Sequence, residues 1–143
     1  MQKGPSAPGR VTFEHINEAR RQHVHNISRE IAEEHSLIGM EDLNTQRMME
    51  HAPSHKLAGA IGSASWHMLT RMIAYKAAEA GTPFVLVDPY NTSQKCSRCG
   101  EQVPKDLTVR RYMCPYCGLD TDRDLNAAVN ILSPALQTAA SKT

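Results

Sequence analysis

The sequence predicts an α/β fold that carries a small metal-binding ribbon, and three features say so. Two short apolar runs, Leu37-Ile38-Gly39-Met40 and Phe84-Val85-Leu86-Val87, each end beside acids. A long stretch of helical periodicity separates them, which is the order of a parallel βαβ unit. Four cysteines, all between positions 96 and 117, form two C-x2-C-G knuckles. With 41% apolar and 22% charged residues the chain is neither a disordered tail nor a fibrous repeat.

Residues 1–9 are rich in Gly, Pro and Ser and are expected to form a disordered leader. From Thr12 to Glu34 no breaker intervenes, and Phe13, Ile16, Ala19, Val24, Ile27 and Ile31 recur near helical spacing. This predicts a long amphipathic helix with a solvated, mixed-charge face. The first apolar run, 37–40, reads as a buried strand that presents Glu41 and Asp42 at its C-terminal end. Residues 44–56 lack clear periodicity and read as a loop with a broken helical turn. Leu57 to Ala80 has apolar residues three and four apart and reads as one helix, stopped by Gly81-Thr82-Pro83. The second strand, 84–87, leads to Asp88. Beyond the cysteines, Asp122 to Leu132 reads as a helix that Ser133-Pro134 closes, with a frayed tail after it.

Charge and targeting narrow the function. Sixteen Lys+Arg against fifteen Asp+Glu give +1, so overall charge predicts neither a polyanion binder nor a binder of cations. A local cluster remains: Lys95, Arg98, Lys105, Arg110 and Arg111, with Tyr112 alongside. Cations beside an aromatic suit a phosphate backbone and an exposed base; alternatively, they offset the charge of the cysteine site. No signal-peptide run and no membrane-length apolar stretch is present. The expectation is a soluble, cytoplasmic chain without a membrane partner.

In a reducing compartment the cysteines point to Zn2+ ahead of disulfides or a redox pair. Cys96, Cys99, Cys114 and Cys117 supply four thiolates from two turns fourteen residues apart, enough for a hairpin. Four thiolates leave no open coordination position, so such a metal is structural.

Three acidic positions stand at element ends: Glu41, Asp88 and the pair Asp122/Asp124. Carboxylates gathered at the C-terminal edge of a sheet can hold Mg2+ for phosphodiester cleavage. Taken singly, Asp122 or Asp124 is a helix N-terminal acid and Glu41 a surface acid.

The ordered string Glu41-Asp42-Leu43-Asn44, then Thr92-Ser93-Gln94-Lys95-Cys96-Ser97-Arg98-Cys99-Gly100, then Cys114-Pro115-Tyr116-Cys117-Gly118, then Asp122-Arg123-Asp124-Leu125-Asn126-Ala127-Ala128-Val129-Asn130-Ile131-Leu132 closely resembles the C-terminal part of TnpB. TnpB proteins are the transposon-encoded OrfB-type proteins related to compact type V CRISPR effectors. The resemblance covers roughly residues 10–133. It implies an RNA-guided DNA endonuclease whose RuvC-type, RNase H-like domain has a zinc ribbon inserted in it, and in which three carboxylates hold catalytic Mg2+. Two of these correspond to Glu41 and Asp124; the zinc ligands correspond to Cys96, Cys99, Cys114 and Cys117.

The first-strand Asp of that family has no counterpart in these 143 residues. The fold class expected is therefore α/β: a partial RuvC/RNase H-like domain, its first three strands missing, with an inserted four-cysteine zinc ribbon. Its organisation would be a leader (1–9), a partial RuvC-like segment (10–92), the ribbon (93–119), a returning helix (120–133) and a tail (134–143). The strand at 37–40 would then be an exposed apolar edge. The expected function is that of a truncated, transposase-type DNA-binding protein of a mobile element, not autonomously catalytic. Guide RNA is a partner in the family, although its binding portions would mostly lie elsewhere. Two alternatives stand beside this: a nuclease half completed by a separate amino-terminal chain, and a non-catalytic zinc-ribbon module that binds nucleic acid.

Overall fold

The computed structural model describes residues 8–141 apart from 64, 105 and 107, with side chains from residue 14 onward except that of residue 63. The expected leader falls mostly on residues 1–7, outside the described residues. Helix α1 spans Pro8–Glu34, four residues earlier than the periodicity suggested. Proline is tolerated there because the first N–H groups of a helix have no intrahelical acceptor.

Strand β1 (Ile38–Glu41) pairs in parallel with β2 (Phe84–Val87), in the register Ile38↔Phe84 through Glu41↔Val87. The ladder continues into Asp42, whose N–H donates to the Val87 carbonyl at 2.9 Å. Between the strands lie α2 (Thr45–Glu50), α3 (His55–Ser63) and α4 (Trp66–Ala80). Two expectations change here. The stretch 44–56 holds a true helix, because Asn44 caps α2 by accepting the Arg47 N–H at 2.9 Å. The single helix over 57–80 is two, interrupted at Ser65, whose φ of 56° is left-handed. Gly81 (φ 73°) ends α4, and the Thr82 N–H returns to the Ala77 carbonyl at 2.8 Å.

Successive strand residues point to opposite faces, and each face finds a cover. Ile38, Met40 and Phe84 pack with Ile31 of α1 and Leu69, Ile73 and Ala77 of α4. Helices α1 and α4 run parallel, and small buried residues (Ser28, Ala32 and Ala77) let them approach closely. Lys76 Nζ donates to Ser28 Oγ at 2.9 Å, and Thr82 Oγ1 donates to the Ala32 carbonyl at 3.2 Å. On the other face Gly39 meets α5 (Arg123–Ala140): a Cβ there would lie 2.9 Å from the Ala135 Cβ.

Helix α5 corrects the expected stop at Ser133-Pro134 and the frayed tail. It runs through Pro134 to Ala140. Burial of Ala135 against Gly39 outweighs the hydrogen bond that Pro134 cannot make. A neighbouring stripe, Leu125, Val129, Leu132 and Leu136, is exposed.

The ribbon is a second, separate sheet. Strand β3 (Arg111–Met113) pairs antiparallel with β4 (Asp120–Asp122). Residues 120–122 thus belong to the hairpin, and α5 begins directly after it.

Candidate metal centre and the carboxylates beside it

Each knuckle is built the same way. The Gly100 N–H donates to the Cys96 carbonyl at 2.9 Å, and the Gly118 N–H to the Cys114 carbonyl at 3.1 Å. Both glycines hold positive φ, 81° and 70°, which side chains rarely adopt. The turns bring Cys96, Cys99, Cys114 and Cys117 together with all four Sγ atoms within 4.8 Å of one another. The Cys96–Cys117 and Cys99–Cys114 sulfurs stand 3.6 Å apart. A tetrahedron of Zn–S bonds of about 2.3 Å has edges of about 3.8 Å. The four cysteines therefore form a possible metal site consistent with zinc.

The electrostatics agree with that fit. Burial opposes a Cys96 thiolate, but the N–H groups of Cys99 and Arg98 and the neighbouring thiols outweigh it and hold Cys96 down to about 6. At Cys99 the Glu101 amide favours the thiolate, yet burial and the other three thiols push it up to about 12. Cys117 is raised as well: the Leu119 amide favours ionisation, while burial and the thiols of Cys96 and Cys114 oppose it. One thiolate forms readily and its neighbours then resist. A divalent cation relieves that resistance.

Tyr112 is a correction. Expected beside the cations as a stacking platform, it is fully buried with Cys96 and Cys114, and its hydroxyl donates to the Gln94 carbonyl at 3.1 Å. Its place on β3 alternates inward, toward the sulfurs, so its ring is core. The exposed aromatics nearby are Tyr90 and Tyr116, neither of which stands among the sequence-predicted contacts. Of the basic cluster, Lys95, Arg98 and Arg110 are exposed, and Lys105 lies outside the described residues. Arg111 is exposed but engaged: its Nε and Nη2 each donate to Asp120 at 2.6 Å.

The acids are spread over three elements. Glu41 ends β1, half-buried, and one carboxylate oxygen accepts the Thr92 hydroxyl. Asp88 accepts the Tyr90 N–H at 2.9 Å and so shapes a turn. Asp122 caps α5, accepting the Asp124 N–H at 2.7 Å, which matches its reading as a helix N-terminal acid. The Asp124 carboxylate is open to solvent, with Arg123 Nε at 3.3 Å. At 100° per residue Asp124 shares its face of α5 with Ile131 and Ala135, the residues nearest Gly39 of β1. Among the described residues only the cysteines draw three or more candidate ligands together.

Two asparagines join the ribbon to α5. Asn126, fully buried, accepts the Ser97 N–H at 2.9 Å and donates to the Lys95 carbonyl at 2.8 Å. Asn130, one turn on, donates to the Thr92 and Lys95 carbonyls at 2.8 and 2.7 Å. Their i, i+4 spacing on α5 is the sequence signal that marks the pair.

This geometry has known relatives. Residues 66–131 match the family model of the Cas12f1-like TNB domain. A putative RNA-guided DNA endonuclease of Streptomyces pristinaespiralis is 36% identical over 127 residues. A TnpB-like protein of Acanthamoeba polyphaga mimivirus is 31% identical over 117 residues. Over most of its length the chain is similar to TnpB-type proteins. Its fold is shared with part of a compact type V effector: the cryo-EM structure of a Cas12f1-sgRNA-target DNA complex matches 89% of this chain and 37% of that one, with TM-score 0.68 and 24% identity. The alignments span 87% and 79% of this chain, but 31% of the Streptomyces protein and 22% of the mimivirus protein. This chain thus spans under a third of either TnpB-type relative. No helix among the described residues is long and apolar enough to cross a membrane.

Proposed function

We propose that this chain is a nucleic-acid-binding part of a TnpB-type RNA-guided nuclease, with DNA as its direct partner and Zn2+ holding its ribbon. The observation behind this reading is the four-cysteine cluster with Lys95, Arg98, Arg110 and Tyr116 exposed around it. Cations around an exposed ring suit a phosphate backbone with an unstacked base. A groove of about 600 Å3 between the β2 end and α5, lined by Tyr90, Lys95 and Ser133 among others, extends that surface.

The parallel β1–β2 pair, with α1 and α4 on one face and α5 on the other, supports the RuvC, RNase H-like reading of the remainder. In that reading Glu41 and Asp124 are two of three Mg2+ carboxylates. Bound Mg2+ would activate water and stabilise the leaving oxygen; Glu41 and Asp124 would hold and orient it. With two acids of three, these 143 residues bind DNA without cutting it. Incubation of the purified chain with single- and double-stranded DNA and Mg2+ tests this. Intact DNA is expected, and cleavage that Glu41→Gln abolishes would contradict it.

The edge of β1 that no strand among the described residues pairs, and the exposed stripe of α5, favour a second reading, in which a separate polypeptide adds a strand and the third acid. Coexpression with a polypeptide that carries such a strand would then yield a Mg2+-dependent nuclease.

A further inference from the structure

We propose that Thr92 is a positioning residue for Glu41, and that it transmits the order of the four-cysteine centre to that carboxylate. The proposal rests on reading Glu41 as a divalent-cation ligand. The connection is a continuous set of hydrogen bonds. Asn126 holds the two peptide groups that flank Cys96, through the Lys95 carbonyl and the Ser97 N–H. Asn130 uses both of its amide hydrogens, one on the Lys95 carbonyl and one on the Thr92 carbonyl. Residue 92 is thereby fixed to the same rigid helix that grips the first knuckle. Its side chain, buried to 8% exposure, then reaches Glu41 Oε1.

The hydroxyl of Thr92 has one proton and two acceptors in reach, Glu41 and the Pro89 carbonyl at 3.2 Å. A carboxylate is the stronger acceptor. The bond restricts a side chain with three rotatable torsions and leaves Oε2 for a cation. Groups that orient a metal-binding carboxylate typically matter to affinity by roughly 10–100-fold. Nothing in the T-S-Q lead-in to the knuckle requires a hydroxyl for the metal centre itself. Its requirement comes from β1, fifty-one residues earlier.

Mn2+ binding followed by electron paramagnetic resonance on the zinc-loaded chain tests the role. Thr92→Val should weaken Mn2+ by roughly tenfold, and Thr92→Ser should restore it. The absorption of a Co2+-substituted cysteine centre should be the same in all three proteins. Mn2+ affinity that falls in Glu41→Gln but not in Thr92→Val overturns the positioning role alone. Affinity that is equal in wild type and Glu41→Gln overturns the carboxylate reading beneath it. A second measurement needs no folded variant at position 92. In 13C-glutamate-labelled wild type the Glu41 carboxylate signal, assigned by its loss in Glu41→Gln, should move toward that of an exposed glutamate when zinc is stripped. A signal indifferent to zinc overturns the proposal.

Discussion

Asn126 grips both peptide groups beside Cys96: its Oδ1 accepts the Ser97 N–H at 2.9 Å and its Nδ2 donates to the Lys95 carbonyl at 2.8 Å. A side chain of α5 thus sets the backbone of the first knuckle from outside the ribbon. Asn126→Ala would leave the half-buried Ser97 N–H without its acceptor, at a cost of about 1 kcal/mol or more. Asn126→Asp keeps that acceptor but buries a charge beside the thiolates and sets a carboxylate oxygen against the Lys95 carbonyl. Denaturant unfolding of the zinc-loaded proteins should therefore place both variants below wild type.

The metal centre should dominate the ribbon's folding. Structural zinc contributes roughly 10–16 kcal/mol of apparent binding free energy in small domains, more than so few core residues supply. Replacing Cys96 or Cys114 by Ser, or adding a chelator, should unfold residues 95–118 and leave the β1–β2 unit folded. Amide hydrogen exchange resolves the two regions and would show fast exchange confined to the ribbon.

At Gly39 the prediction is steric. Gly39→Ala places a Cβ 2.9 Å from that of Ala135, and overpacking of this kind costs about 1–3 kcal/mol. Adding Ala135→Gly removes the opposing atom. The double variant should then be more stable than Gly39→Ala alone, despite the weaker helix propensity of glycine. Thermal unfolding midpoints of the four proteins complete the cycle.

Tyr112 gives a pH dependence with a defined sign. Burial, and then the charge on the surrounding cysteines, raises its phenol from 10.0 to about 12. The folded ribbon therefore keeps a proton that the unfolded chain releases. The stabilisation is complete below pH 10 and is lost as the pH rises toward 12. In Tyr112→Phe this component is absent, so the stability difference between wild type and variant should shrink across that window.

The parts legible in the sequence are those with strong local chemistry. Two apolar runs became β1 and β2 in parallel, and the glycine after each C-x2-C took the positive φ that the knuckle needs. Local signals failed where tertiary packing decided. Pro134 reads as a stop, but Ala135 buried against Gly39 holds the helix through it. Tyr112 reads as an aromatic among cations, but the alternation of β3 turns it inward. Asn126 and Asn130 are unremarkable as residues and become significant only once residues 92–97 lie across α5.

DNA binding as a function of zinc and salt shows whether the ribbon is a nucleic-acid surface. Anisotropy of a labelled single-stranded oligonucleotide would be followed with zinc-loaded and chelated protein across a salt series. The zinc-loaded chain should bind at low ionic strength, with log affinity falling linearly in log salt by about 0.7 per phosphate contacted. Lys95→Ala and Arg98→Ala should each flatten that slope, and chelation should abolish binding. No binding at low salt, or binding that survives removal of zinc unchanged, would contradict the assignment of the ribbon as the nucleic-acid surface.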